Sequence, residues 1–265
     1  MYSSFQLAFK YIKYYLKASN GKGHGMHSPF VFDFVKNILS DKKDYSDYQK
    51  VESIRKKLLG NQTILDIEDY GAGSSSSKST KRSVATIANR AAKPKKFGQL
   101  LYRIIKYYRP NIIIELGTSL GLTTGYLSLA NPDSNAFTFE GSAEIANIAR
   151  QNFKTLELQN LKLLEGNFDY TLPAALYQLP TVDFAFIDGN HRRASTENYF
   201  QWLLVKSNNN SIFIFDDIHW SLEMEQAWSN IKQHPSVRCS IDLFSLGIIL
   251  FRQEFKEKQH FSIQF

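Results

Sequence analysis

Three carboxylates stand where short apolar runs end. Asp188 closes Phe184-Ala185-Phe186-Ile187, and Asp216 with Asp217 closes the run that starts at Ser211. In open α/β sheets the C-terminal edge of the strands is where ligands bind. Acids crowded there repel one another unless a hard divalent cation joins them. The competing reading is local, with Asp216 and Asp217 capping a helix that begins near Ser221.

A second chemistry is written in glycine. Two acid-glycine segments compete for a ligand loop, Asp69-Tyr70-Gly71-Ala72-Gly73 and Glu115-Leu116-Gly117-Thr118-Ser119-Leu120-Gly121. Such a loop needs a buried strand before it and a helix start after it. Only the second qualifies, because Ile112-Ile113-Ile114 precedes it and Leu122 to Ala130 follows, whereas a serine tract with lysines follows the first. The dinucleotide pattern Gly-x-Gly-x-x-Gly is missing at 117–121. Glu115 would repel a pyrophosphate but could pair, through water, with an ammonium such as that of a methionine moiety. Glu140 ends the next strand, where a carboxylate can accept both hydroxyls of a ribose. A ribose-binding acid is shared by nicotinamide and sulfonium cofactor sites, so Glu115 is the residue that favours the sulfonium one.

These groups need a sheet to hold them, and the patterning supplies it. Strands are expected at Ile112–Leu116, Ala136–Glu140, Leu161–Leu164, Val182–Asp188, Ser211–Asp216, Arg238–Leu243 and Gly247–Arg252, with helices between the first five and another over Ser221–His234. The last two strands are separated only by Phe244 to Leu246, so the doubly wound, mostly parallel α/β sheet of seven strands should close in an antiparallel hairpin. Ahead of it, residues 1–60 read as a basic helical extension and 61–93 as a linker or lid, leaving 94–265 as the ligand-binding domain. Phe5, Phe9, Ile12 and Leu16 share one helical stripe and Lys10, Lys13 and Lys17 another. That face should dock on the core or on a second subunit, with a membrane surface as the other destination. Ser28-Pro29 should open a helix. Gly71 to Ser83 should be mobile. His24 and His27 could ligate a metal, but no third ligand stands near them in sequence.

Charge is uneven. Residues 1–110 hold 21 Lys and Arg against 8 Asp and Glu, a net of +13, and the rest hold 11 against 17, a net of −6. A basic half can meet nucleic acid, an anionic surface or an acidic substrate, or simply be solvated. Cys239 is the single cysteine, which excludes an internal disulfide and points to a buried structural thiol. No run is apolar enough for a membrane span or a signal core, so a cytoplasmic protein is expected.

From about residue 94 to 252 the chain resembles the class I methyltransferases, and more narrowly the cation-dependent O-methyltransferases of catechol, caffeoyl-coenzyme A and antibiotic-sugar type. The likeness is carried by Gly98-Gln99-Leu100-Leu101, by Glu115 to Gly121, by Glu140, by Gly166-Asn167-Phe168-Asp169 and by the closing Asp242 to Arg252. It implies a Rossmann-like fold and S-adenosylmethionine as cofactor, bound by Glu115, Gly117, Thr118, Ser119, Gly121, Glu140, Gly141, Asn167, Phe168, Asp169 and Asp188. It also implies Mg²⁺, or another divalent cation, on Asp188, Asp216 and Asp217. Catechol-type members have Asn at the last of these positions and sugar-type members have Asp.

The mechanism so implied is methylation of a hydroxyl whose pKa the cation lowers. Where catechol-type relatives place a lysine, three residues after the first metal ligand, this chain has His191, a general base suited to neutral pH. The sugar-type base position is Asn190, which cannot accept a proton. His219 is the other candidate, and either histidine could equally be a hydrogen-bonding loop residue. Arg192-Arg193 would suit an anionic small-molecule acceptor, or is exposed charge. Two further readings stand beside this one: a nucleic-acid methyltransferase gripping phosphates through its basic half, and a cofactor-binding module without catalysis. The Asn-Pro-Pro-Tyr motif of amino-group methylation is absent, which weighs against the first. A homodimer through the aromatic N-terminal helix is compatible with the sequence.

Overall fold

The computed structural model describes residues 1–19, 28–67, 81–90 and 92–265. His24, His27 and the Asp69 to Gly73 segment lie outside the described residues. In chain order, helices α1 (Ser4–Lys17) and α2 (Pro29–Phe34), a π-helical turn (Val35–Leu39) and α3 (Ser46–Leu59) come first. Strands β1 (Ile64–Asp66) and β2 (Lys81–Ser83) and helices α4 (Val84–Arg90) and α5 (Lys95–Tyr108) follow. Strands and helices then alternate: β3 (Ile112–Leu116), α6 (Leu122–Ala130), β4 (Asn135–Glu140), α7 (Ala143–Thr155), β5 (Leu161–Glu165), α8 (Phe168–Gln178), β6 (Phe184–Ile187), α9 (Arg193–Leu204) and β7 (Ile212–Asp216). The chain continues through α10 (Leu222–Gln233), β8 (Cys239–Asp242), β9 (Leu246–Leu250) and β10 (Gln259–Ser262).

Two compact units divide these elements. One comprises Lys42–Gln178, in which β3, β4 and β5 pair side by side and parallel. Every residue of β3 is buried, as its continuous apolar run requires of a strand covered on both faces. Helix α5 carries Gly98, where an added Cβ would lie 2.6 Å from the Tyr126 ring of α6, so the close approach of these helices depends on glycine. β1 and β2 pair antiparallel. Lys81–Ser83 is therefore a strand, where the sequence suggested mobile loop. The Asp66 N–H donates to Glu144 Oε2 of α7 at 2.5 Å, which ties this pair to the unit.

The other unit comprises Met1–Asp41 and Leu179–Phe265. Its strands run in the order β10-β8-β9-β7-β6, with β6 parallel to β7, β9 antiparallel to both β7 and β8, and β10 parallel to β8. The antiparallel hairpin is the one expected, and β10 is a strand beyond the seven read from the sequence. Trp228 packs in the core: it contacts Phe215, and a Cβ on Gly247 would come within 2.7 Å of its ring. Cys239 is a buried free thiol, its pKa pushed up to about 12 by burial.

Helix starts follow local chemistry. Ser28 accepts from the Val31 N–H ahead of Pro29, as expected of that pair. Ser221 accepts from the Met224 N–H and caps α10, so Asp216 and Asp217 are not needed as caps. Helix α1 is closed by a capping box between Ser3 and Gln6. It does not bury its phenylalanine face. Tyr14, Lys10 and Tyr2 dock instead, while Phe5, Phe9, Ile12 and Leu16 stay exposed. No helix among the described residues is long and apolar enough to cross a membrane.

Candidate functional site

In the Lys42–Gln178 unit the glycine turn forms where β3 passes into α6. Gly117 and Ser119 adopt positive φ, and Gly121 at φ +79° begins α6. A Cβ on Gly121 would fall 2.5 Å from the Phe153 ring, so both the backbone and the space demand glycine. The N–H groups of Gly117 and Thr118 both donate to Phe139 O at 3.0 Å, which pins the turn to β4.

Glu115 is 1% exposed. Its Oε2 accepts from Thr124 Oγ1 at 2.5 Å and Thr138 Oγ1 at 2.6 Å, and Thr118 Oγ1 completes the chain 2.6 Å from Thr138 Oγ1. Its Oε1 is buried with no hydrogen-bond partner. Burial pushes the carboxyl pKa up to about 7; the two threonine hydroxyls act against this and the nearby Glu140 adds to it. A buried acceptor left open in an otherwise satisfied network is a ready seat for a cationic group. Thr124 and Thr138 were not among the residues picked from sequence. The signal for Thr138 was available, since it pairs in register with Glu115 across β3 and β4.

Glu140 ends β4 with both oxygens oriented by backbone: Oε2 accepts from the Ser119 N–H at 2.8 Å and Oε1 from the Ser142 N–H at 3.0 Å. Gly141 lies between Glu140 and the buried Ser142. After β5, Gly166 at φ +120° donates to Glu140 O, and Asn167 opens α8 by accepting the N–H groups of Asp169, Tyr170 and Thr171. Phe168 meets Phe139 edge to face. The structure thus gathers Glu115, Gly117, Thr118, Ser119, Gly121 and Glu140 around one turn, with Asn167 and Phe168 reached through Gly166 and Phe139. Asp169 is exposed.

In the other unit, Asp188 after β6 and Asp216 at the end of β7 meet His191. One ligand atom from each lies within 4.8 Å of the others, and Asp216 is 1% exposed. Asn190 and His191 both take left-handed φ, +68° and +47°, which turns the imidazole back so that Nε2 sits 3.6 Å from Asp188 Oδ1. Two lone-pair donors facing each other at that range call for a proton or a cation between them. Asn190 Nδ2 donates to the Tyr199 hydroxyl at 3.1 Å, and Trp220 flanks the His191 ring with centroids 5.6 Å apart. Asp217, at φ +53°, stands outside the group formed by Asp188, His191 and Asp216.

His219 is occupied elsewhere. Its Nε2 is 2.8 Å from Asp242 Oδ2 and its Nδ1 3.0 Å from Glu225 Oε1, while Phe244 stacks on its ring. Burial pulls its pKa down, but the two carboxylates outweigh that and hold it above the ordinary value. With both ring nitrogens engaged, His219 is a tie between α10 and β8 rather than a free base. Glu225 also takes Lys10 at 2.9 Å and the Tyr2 hydroxyl at 2.8 Å, which links α1 to the same tie. Arg193 is likewise committed, bonding Glu197 and Gln226.

Residues 114–218 match a family model described as a methyltransferase domain. No curated protein matches the sequence. Among solved structures the chain is similar to an S-adenosylhomocysteine-bound methyltransferase from Podospora anserina, with TM-score 0.60, 14% identity, and 85% of this chain and 97% of that one covered. It is also similar to an O-methyltransferase from Streptomyces achromogenes involved in tomaymycin synthesis, in complex with SAM (TM-score 0.57, 15% identity, 84% and 96% covered). A Bacillus cereus O-methyltransferase in complex with SAH gives a TM-score of 0.55 at 17% identity, with 83% and 97% covered.

Proposed function

We propose that this chain transfers the methyl group of S-adenosylmethionine to a hydroxyl oxygen of a small acceptor, assisted by a divalent cation, because residues 114–218 match a methyltransferase-domain family model and the fold is similar to that of solved methyltransferases. The observation that carries the reading is the convergence of Asp188, His191 and Asp216 at the ends of two adjacent parallel strands.

In this reading the open Oε1 of Glu115 takes the ammonium of the donor's methionine end, and Thr124 and Thr138 fix the carboxylate that does so. Glu140, already aligned by two backbone N–H groups, accepts the ribose hydroxyls with its remaining lone pairs. Asn167 and Phe168 border the adenine. Asp188, Asp216 and His191 fit a divalent cation by donor type, with two carboxylates and one imidazole nitrogen. Such an ion, when bound, acts as a Lewis acid that lowers the pKa of a coordinated hydroxyl. His191 thereby passes from the base expected from sequence to a ligand, and His219 to a structural role. The acceptor is a small molecule presenting a hydroxyl beside a second oxygen.

The test is formation of S-adenosylhomocysteine from the donor with catechol-like and other vicinal hydroxyl compounds, with and without Mg²⁺ or Mn²⁺. Asp216→Asn should lower metal-dependent turnover by about 10²-fold or more, with donor binding by calorimetry retained. Turnover that persists in excess chelator would remove the cation from the reading. Failure of the wild type to bind S-adenosylhomocysteine would remove the reading altogether.

A further inference from the structure

Helix α1 is held rigidly by one side and leaves the opposite side bare. Five contacts fix it: the Tyr2 N–H to Trp220 O at 3.1 Å, the Tyr2 hydroxyl and Lys10 to Glu225, the Tyr14 hydroxyl to Ile263 O, and Tyr11 against the Phe244 ring at 5.0 Å. At 3.6 residues per turn, Phe5, Phe9, Ile12 and Leu16 fall on a single line opposite Tyr14. They are 82%, 64%, 56% and 80% exposed. A frayed segment could present such residues by accident; a helix with a closed capping box and a salt-bridged inner face presents them by construction.

Charge says what covers this line. Residues 1–32 contain Lys10, Lys13, Lys17 and Lys22 and no Asp or Glu. Lys10 is used on the docked side, while Lys13 and Lys17 are exposed beside the apolar line, with Tyr11 and Tyr15 along its other flank. Two copies of the helix laid face to face would set lysines against a surface without a carboxylate. An anionic lipid surface satisfies both halves of the pattern, taking the phenylalanine and leucine side chains into the acyl boundary and the ammonium groups at the phosphates. Tyrosines at the flank suit the headgroup level.

We propose that α1 is an in-plane docking helix that seats this chain on anionic membrane surfaces through Phe5, Phe9, Ile12 and Leu16, with Lys13 and Lys17 at the headgroups. The inference stands apart from methyl transfer, although Trp220 joins the start of α1 to the His191 ring and so places the aspartate–histidine cluster next to the docked helix.

Flotation of the full chain with vesicles tests it. Binding is expected to vesicles of phosphatidylcholine with about one third phosphatidylglycerol, and to be at least about tenfold weaker to phosphatidylcholine alone or in about 0.5 M salt. Lys13→Gln with Lys17→Gln should weaken binding about thirtyfold, at roughly a factor of five per lysine. Phe9→Ser with Leu16→Ser should abolish it while leaving the thermal melt in place, because both side chains are exposed. Absence of the wild type from the anionic vesicle fraction would overturn the proposal. So would a stable dimer by light scattering that Phe9→Ser with Leu16→Ser dissolves, since that would assign the face to a second copy.

Discussion

Replacing Glu115 by Gln should stabilise the ligand-free protein, and do so more strongly as pH rises. The carboxyl is fully buried and its pKa is pushed from 4.5 up to about 7, with burial as the main cause. Between those values the folded state holds a proton that the unfolded state has released. Stability is therefore lost as pH climbs through the interval, because ionisation favours the unfolded chain. A shift of that size is worth about 3 kcal/mol at or above neutrality, at about 1.4 kcal/mol per pKa unit. Glutamine keeps the shape and one oxygen for Thr124 and Thr138 but cannot ionise, so its constant packing offset cancels when the two proteins are compared across pH. At pH 5 the unfolded-state carboxyl is only partly favoured, contributing about 1 kcal/mol. The stability gap between variant and wild type should thus widen by roughly 2–3 kcal/mol from about pH 5 to pH 8, or about 5–10 °C in melting temperature. Urea melts at several pH values measure it. Parallel stability curves for the two proteins would show that Glu115 ionises freely and would refute the reasoning that burial holds its proton. The same substitution should cost donor affinity, so stability and binding are expected to move in opposite directions.

Substitutions at Gly121 and His219 probe local supports further, with Gly60 as a control. Gly121→Ala places a methyl 2.5 Å from the Phe153 ring at a left-handed φ and should cost about 2–4 kcal/mol in chemical denaturation, whereas Gly60→Ala, with its nearest neighbour at 3.6 Å, should change stability by less than about 1 kcal/mol. Equal effects at the two positions would refute the steric account. His219→Gln should lose on the order of 1–3 kcal/mol. Because the folded-state pKa of His219 is raised, the contribution of its charge is fully present below the ordinary imidazole value and fades as pH rises through the folded-state one. The deficit of the variant should therefore shrink on going alkaline, and a deficit independent of pH would mean that folding leaves the imidazole pKa unshifted.

Strands β3, β6 and β7 were legible because they are buried on both faces and write themselves as apolar runs. Ile112–Leu116 matches its expected span, and the others differ by a residue or two at their ends. β10 was not legible: Gln-His-Phe-Ser has no apolar run, and its extended form comes from pairing with β8. Lys81–Ser83 escaped for the same reason, being short, polar and paired only with Ile64–Asp66. Among the candidate residues of the two units, Glu115, Glu140, Asp188 and Asp216 could be located because each ends or nearly ends an apolar run. What spacing could not convey was backbone hand. The positive φ values of Asn190 and His191 swing the imidazole onto Asp188, and Asp217 leaves the cluster because consecutive residues leaving a strand do not share a face. The commitment of His219 to two carboxylates depends on Glu225 and Asp242, which no local motif joins to it.

The exit of α1 is stitched to β10. Ser19 N–H donates to Ser262 O, Gln264 N–H returns to Ser19 O, and the Gln264 side chain reaches Tyr15 O. This seam encloses nearly the whole polypeptide in one loop, and the entropy of closing so long a loop can be met only after the intervening strands have formed. The seam should therefore assemble last and open first, as a local event with its own protection against hydrogen exchange. Cutting the chain before residue 259 would leave the core strands paired and free the exit of the helix, while its start stays held to Trp220 and Glu225.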